Sequence, residues 1–430
     1  MAETSLFLIV FLVVFGIRSA VRVVLNRLNV SHLRTCGGQV PGTFKDLVDQ
    51  EKMTKISAYA ADSARFGLVA SLFNDCLILS ILLSGFLPWL VSGLTSQVSS
   101  SFLGGIVFFA LLYLIFNLPQ IPFGLYETFV IEERYGFNTQ SLRMWFLDLV
   151  KQTVLSVALG GAVLCLLLTL LSTLAQTWWI WAWGGLAILE GFIVWLFPVV
   201  IAPWFNRFEP ITDEAMVSRI RHLMENAGLG VEGVFEMDAG KRTRHTNAYF
   251  TGLGRTKRIV LFDTILRSHT RDEILAILSH ELGHWKKRHI IKQLVLLEAV
   301  SLVGLFVAGQ LLDWPLLYRT FGLDGPVAFV GLFLAGILLG LGGFFCRPVV
   351  SAISRGLERQ ADSVASELMG TTVALSQALR KLAVHNLANL NPHPLYAWFY
   401  YSHPPVVRRI ERFERMEKAR QPHEAESLTV

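Results

Sequence analysis

Charge is scarce in this 430-residue chain. Asp, Glu, Lys and Arg make up 17% of it against 53% hydrophobic residues, and the mean hydropathy is +0.49, outside the range of an ordinary soluble domain. Cysteine is scarce too. Cys36, Cys76, Cys165 and Cys346 are scattered with no C-x-x-C and no paired spacing, which excludes a disulfide framework or a thiolate metal site and predicts free thiols. No basic run is interleaved with aromatics, so the net charge of +5 reads as anchoring at the cytoplasmic membrane face and not as nucleic-acid binding. A signal peptide is excluded as well: the first apolar run, Leu6 to Ile17, follows Glu3 instead of basic residues, and no small-residue cleavage site comes after it. Arg18, Arg22 and Arg27 behind it are expected to snorkel to the cytoplasmic interface of a retained anchor.

What the chain has in quantity is long apolar runs. Phe66 to Leu94, Phe102 to Phe123, Val150 to Leu174, Trp179 to Ile201, Val295 to Leu312 and Val327 to Phe345 follow the first, and most are long enough to cross a bilayer, making seven spans. Trp178, Trp179, Trp181 and Trp183 cluster where a tight turn meets the interface. Lys and Arg collect after the first span, at Arg134 to Lys151, between Arg207 and Lys292 and after Arg347, whereas Thr95 to Ser101 and Ala175 to Thr177 carry no charge and Leu312 to Gly325 has Arg319 as its only basic residue. The positive-inside rule then puts the N-terminus outside or in the lumen and the C-terminus in the cytoplasm. Asp75, Asn117, Gln120, Glu190 and Glu298 interrupt the spans and must face one another or a wet cavity.

The longest polar stretch lies between the fifth and sixth spans. Val231 to Met237, Asn247 to Phe250 and Arg258 to Phe262 are short, β-rich and separated by Gly240, Gly252 and Gly254, which predicts a small antiparallel sheet with one edge open to an extended peptide. Behind it, Thr270 to His289 reads as a helix opened by a Thr270/Glu273 capping box, with an apolar face of Ile274, Leu275, Ile277 and Leu278. That helix contains His280-Glu281-Leu282-Gly283-His284, an H-E-x-x-H pattern that composition alone would produce with a chance of roughly one in a hundred. Four-residue spacing puts both imidazoles on one helical face, where one divalent metal can take both, and Glu281 lies beside the metal's open side as a base. A third ligand must return from elsewhere. Glu358, in the polar helix Arg355 to Asp362 that emerges from the seventh span, is the best candidate; Glu367 competes, and Asp362 is spaced to hydrogen-bond a ligating imidazole.

These paired motifs, His280 to His284 and Glu358-Arg359-Gln360-Ala361-Asp362, resemble those of the gluzincin metallopeptidases, and with seven spans in this order the chain resembles the type I CAAX prenyl protease family. Phe129 to Asn138 (FVIEERYGFN), Thr246 to Phe250, Ile259 to Thr264 and Tyr401-Ser402-His403-Pro404-Pro405 agree, so the likeness covers nearly the whole chain. It implies one Zn2+ per chain held by His280, His284 and Glu358, with Glu281 as the catalytic glutamate. It also implies a substrate-facing edge strand at Asn247 and Ala248, and His403 and Arg409 close to substrate or to the metal. The implied fold is an all-α polytopic membrane protein whose helices enclose a water-filled chamber, with a small α+β metalloprotease unit on the cytoplasmic side. The sequence departs from the family pattern at Arg408, where relatives often carry an acid.

The expected division is residues 1–201 for spans one to five, 202–292 for the sheet and metal helix, 293–346 for spans six and seven, and 347–430 for a helical segment completing the site. The expected chemistry is hydrolysis of a peptide bond by a zinc-activated water, with His403 donating to the developing oxyanion, a role worth about 3 to 4 kcal/mol. The partners are a lipid bilayer and a peptide or protein substrate, for a chain acting as a monomer without nucleic acid. In the endoplasmic reticulum the substrate is a prenylated CAAX protein; in a bacterial inner membrane it is an unprenylated membrane or misfolded protein. A zinc-binding transporter or channel is the reading from another class, and Glu281 argues against it, because permeation needs no base beside the metal.

Overall fold

The computed structural model describes residues 2–230, 232–251 and 258–427; the expectations for Val231, Gly252 and Gly254 fall outside these. Among the described residues, seven helices are long and apolar enough to cross a membrane: Glu3–Cys36, Gln50–Leu83, Ser101–Tyr135, Leu142–Thr173, Trp178–Phe205, His289–Leu312 and Ala328–Met369. Their starts are set by local chemistry. Asp49, Ser100 and Ser141 each accept a main-chain N–H of the first turn, from Lys52, Leu103 and Met144, satisfying donors that have no partner within the helix. Gly136 (φ 85°) ends the third span and Gly370 (φ 69°) the seventh, both left-handed positions that glycine takes without steric cost.

The apolar windows of the spans are only 6–33% buried. Helices this apolar and this little buried turn much of their surface to a bilayer, while Phe11, Ile81, Phe108, Leu168 and Leu334 pack several of them into one core. A cavity of about 760 Å3 between the third, fourth and fifth spans is lined by Asn117, Gln120, Gln152 and Arg242, among others. The polar residues within the spans divide between the two expectations. Asn117 and Gln120 reach this cavity, and Gln120 donates to Asn74 Oδ1 at 2.8 Å. Glu190 and Glu298 face one another. Asp75 is taken by Arg18 and Arg22, with Ser19 Oγ donating at 2.6 Å. Arg18 and Arg22 therefore do not snorkel: a buried carboxylate on the second span holds them, since an unpaired charge there is costly.

The second apolar run is also not one span. It breaks at Ser84 and Gly85 (φ 80°) and restarts as a short helix, Phe86–Gln97. Of the tryptophan cluster, Trp181 is exposed, but Trp178 is buried against Ala182 and Ala308, and Trp183 donates to the Glu298 carbonyl. All four cysteines are free thiols.

Among the described residues the sheet has four strands, not three, and is mixed, not antiparallel. β1 (Phe208–Pro210), β2 (Gly233–Met237), β3 (Ala248–Thr251) and β4 (Arg258–Phe262) lie in the order β1-β2-β4-β3. β2 and β4 run parallel, each outer strand antiparallel to its neighbour. The chain between β2 and β4 goes out to form β3 at the far edge before returning, which lets β4 pair parallel with β2 in the middle. Ile259, Val260 and Leu261 at the centre are fully buried, as expected for a strand covered on both faces. Ile259 and Leu261 join Ile274, Leu278 and Leu282 of the metal helix in one core.

Candidate metal centre and active site

The metal helix, Arg271–Lys286, begins with the capping box expected: Thr270 Oγ1 accepts from Glu273 N at 3.3 Å, and Glu273 Oε2 accepts from Thr270 N at 2.8 Å. Its partner is the helix of the seventh span, which runs without interruption for 42 residues past Pro348 to Met369 and so carries Glu358 and Asp362 on the same rod. The two helices pack closely at Gly283. A Cβ there would lie 2.8 Å from the Cα and the carbonyl oxygen of Ala361, so only glycine permits this approach, one residue from His284 and three from Glu358.

His280, His284 and Glu358 converge, each offering one ligand atom within 4.8 Å of the others. The two Nε2 atoms are 3.3 Å apart, and Glu358 is 3.3 Å from each, through Oε2 to His280 and Oε1 to His284. Three ligands held about 2.0–2.1 Å from a shared tetrahedral centre would be about 3.3 Å apart, so the set fits a small divalent cation. Glu358 Oε2 is buried with no hydrogen-bond partner, an orphan that such a cation would satisfy. Burial pushes the His280 pKa down, but Asp362 and Glu358 more than offset this and raise it to about 9. The pocket thus favours a positive charge at this point. Glu367 is exposed and outside the converged set.

The two histidines are supported differently. His280 Nδ1 lies 2.9 Å from Asp362 Oδ1, and Arg409 in turn holds Asp362 through Nη2 at 2.5 Å and Nε at 3.2 Å. Arg409 is buried and so paired while Arg408 beside it is exposed, so the departure at Arg408 leaves this arrangement intact. His284 has a neutral support that sequence reasoning missed. Its Nδ1 is 3.1 Å from His289 Nδ1, and His289 Nε2 is 3.2 Å from Gln360 Oε1. With His284 Nε2 turned to a metal, its Nδ1–H donates to His289, whose own proton then sits on Nε2 and is donated to Gln360. Arg288, a non-glycine residue with φ 56°, makes the turn that brings His289 back to His284. The available signal was a third histidine five residues past the motif.

Glu281 lies beside this centre, and burial raises its carboxyl pKa against the opposing pull of His280 and His284. His403 Nε2 reaches within 3.3 Å of Glu358 Oε1, with Nδ1 3.0 Å from Ser402 Oγ, and the ring is otherwise exposed. Asn247 stands just ahead of β3, and its carbonyl accepts from Phe262 N at 3.1 Å. By antiparallel alternation, Ala248 and Phe250 then direct their main-chain groups to the open edge. At rest Ala248 N donates to Asn247 Oδ1 at 2.8 Å. β3 also packs on the metal helix, which brings the edge to the site. The segment before β3 is latched from two sides. Asn386 accepts from Thr246 N at 2.9 Å and donates to its carbonyl. His245 stacks on Phe137 at 3.9 Å and meets Glu132 at 3.2 Å. The FVIEERYGFN stretch, singled out in the sequence, thus clasps the edge strand.

The chain is similar to known proteins over most of its length. Residues 29–207 match the model described as "CAAX prenyl protease N-terminal, five membrane helices", and residues 210–417 match that of peptidase family M48. The "CAAX prenyl protease 1 homolog" of Arabidopsis thaliana is 32% identical over 88% of this chain and 91% of its own, and "CAAX prenyl protease 1" of Saccharomyces cerevisiae is 31% identical over 86% and 88%. The crystal structure of S. mikatae Ste24p superposes with a TM-score of 0.86 at 29% identity, covering 95% of this chain and 98% of that one. A base, a cation-seeking trio of ligands and an open strand edge are what peptide hydrolysis requires, and the chain is an integral membrane metallopeptidase belonging to the CAAX prenyl protease family within peptidase family M48.

Proposed function

We propose that the chain is a zinc endopeptidase that cuts near the C-terminus of prenylated CAAX-type proteins, with the metal site on the cytoplasmic side. The convergence of His280, His284 and Glu358 beside Glu281 carries this reading, and the relatives, named as CAAX prenyl proteases, supply the substrate class. Two imidazoles and one carboxylate with an open position are a usual catalytic zinc set. Bound there, zinc supplies a Lewis acid that makes water acidic near neutral pH and polarises a carbonyl.

The remaining work belongs to the protein. Glu281, its pKa raised by burial, takes the proton of the attacking water and passes it to the leaving amine. His403 donates to the oxygen that gains charge. Asp362, neutralised by Arg409, fixes His280 with its proton on Nδ1. Ala248 and Phe250 hold the substrate main chain as an added strand. All these groups come from one chain, which supports action as a monomer. Lys and Arg near the site-bearing segments support a cytoplasmic site and an N-terminus outside or in the lumen.

The test is cleavage by the purified chain in liposomes of a farnesylated peptide ending in a CAAX sequence, alongside its unprenylated twin. The expected result is release of the C-terminal tripeptide from the prenylated peptide, abolished by a chelator and restored by zinc. Equal cleavage of the twin would refute the prenyl dependence, and no cleavage of either would refute the reading.

A further inference from the structure

A second cavity, of about 490 Å3, has Asp362 and Arg409 in its wall and lies between the end of the first span, the seventh-span helix, a short aromatic helix at Pro394–Tyr400 and the closing helix Val406–Ser427. Its wall is strongly basic: Arg355, Arg359, Arg408, Arg412 and Arg415, with His32 opposite. The hydrogen bonds found for these arginines end on neutral acceptors. Arg355 donates to the carbonyls of Trp398 and Tyr401, Arg412 to the Arg359 carbonyl and Ser363 Oγ, and Arg415 to the Glu411 carbonyl. Of the two acids at the wall, Asp362 is occupied by Arg409, which leaves Glu411. Guanidiniums gathered this way repel one another unless an anion joins them.

We infer that this cavity binds the phosphate headgroup of an anionic phospholipid, an inference independent of the peptidase substrate. Guanidinium forks match phosphate oxygens in pairs. The cavity also opens where the lipid-facing surface ends. Trp398, on its wall, is 55% exposed, Leu395 on the same short helix is exposed, and the seventh-span helix exposes Val349, Val350 and Ile353 just before Arg355. An exposed tryptophan beside clustered arginines is the pattern of a membrane–water interface. A soluble phosphate would use the arginines and leave this apolar rim idle; a lipid uses both. Arg408, exposed beside the buried Arg409, adds to the positive wall.

The test is native mass spectrometry of the full chain in detergent, titrated with phosphatidylinositol, phosphatidylcholine or inorganic phosphate. Wild type is expected to retain phosphatidylinositol over phosphatidylcholine. The Arg359→Gln/Arg408→Gln variant is expected to lose about 25-fold in that affinity, roughly five-fold per arginine. Metal content shows whether the variant keeps its fold; if it does not, Arg415→Gln, at an exposed position, carries the test with an expected loss of about five-fold. Unchanged lipid preference in the variants would overturn the inference. So would displacement of the lipid by inorganic phosphate at equal concentration, which would make the cavity a site for soluble anions.

Discussion

Gly283→Ala is the substitution that most sharply separates the packing argument from the motif argument. Glycine to alanine inside a helix ordinarily stabilises by about 1 kcal/mol. Here the new Cβ would meet the Ala361 Cα and carbonyl oxygen at 2.8 Å, both main-chain atoms that cannot rotate away. Ordinary carbon contacts need about 3.5–4.0 Å, so the metal helix and the seventh-span helix must part by about 0.7–1.2 Å. The ligands straddle that contact, His280 and His284 on one helix and Glu358 on the other, and metal sites tolerate only about 0.2 Å of error in ligand distance. Overpacking of this kind costs about 1–3 kcal/mol, and zinc affinity is expected to fall 10- to 100-fold, the loss typical when ligand positioning fails. The assay is zinc competition against a chelator together with thermal unfolding. Gly340→Ala in the same seventh-span helix serves as control, because nothing lies within 4 Å of its Cβ position, and it should leave zinc affinity unchanged. Wild-type zinc affinity in Gly283→Ala, with a raised Tm, would refute the reasoning.

Further predictions concern the ligands and the strand edge. Glu358→Ala removes the anionic member of the converged trio and should abolish stoichiometric zinc in elemental analysis; full occupancy would exclude Glu358 as ligand. In the metal-free protein His280 holds its proton up to about pH 9, so a metal must displace that proton at any lower pH. Zinc affinity should therefore weaken as pH falls below about 9, with proton release seen by calorimetry in buffers of different ionisation enthalpy; pH-independent affinity without proton release would contradict this. If Ala248 and Phe250 bind substrate main chain, peptides N-methylated beside the scissile bond should be cut poorly while side-chain changes there matter less. Equal cleavage of methylated and unmodified peptides would make that edge purely structural.

Much of the site was legible because its determinants are local. The capping box, the four-residue histidine spacing and most of the apolar runs depend on neighbours within one or two helical turns and appear where the sequence puts them, while the second run is broken at Ser84 and Gly85. Glu358 was legible as a candidate, but its choice over Glu367 depends on which face of a helix meets the metal helix, a tertiary fact. The features missed are those of long sequence separation. Asp75 captures Arg18 and Arg22 from another span. β1, three residues long with a proline at its end, carries little pattern of its own. The parallel β2–β4 pairing follows from β3 going to the edge, and no short-range signal marks it. The seventh-span helix runs through Pro348 although proline removes a helical hydrogen bond, and the sequence reading did not address that residue.

The central claim is that Glu281 moves protons at a metal held by other residues, and Glu281→Gln tests it most directly. The amide has nearly the shape of the carboxylate but can neither accept the water's proton nor return it, while His280, His284 and Glu358 are untouched. Zinc content by elemental analysis and cleavage of the farnesylated peptide are measured on the same purified sample. The account predicts one zinc per chain with hydrolysis lost; a variant that keeps zinc and turns over at near wild-type rate would contradict it.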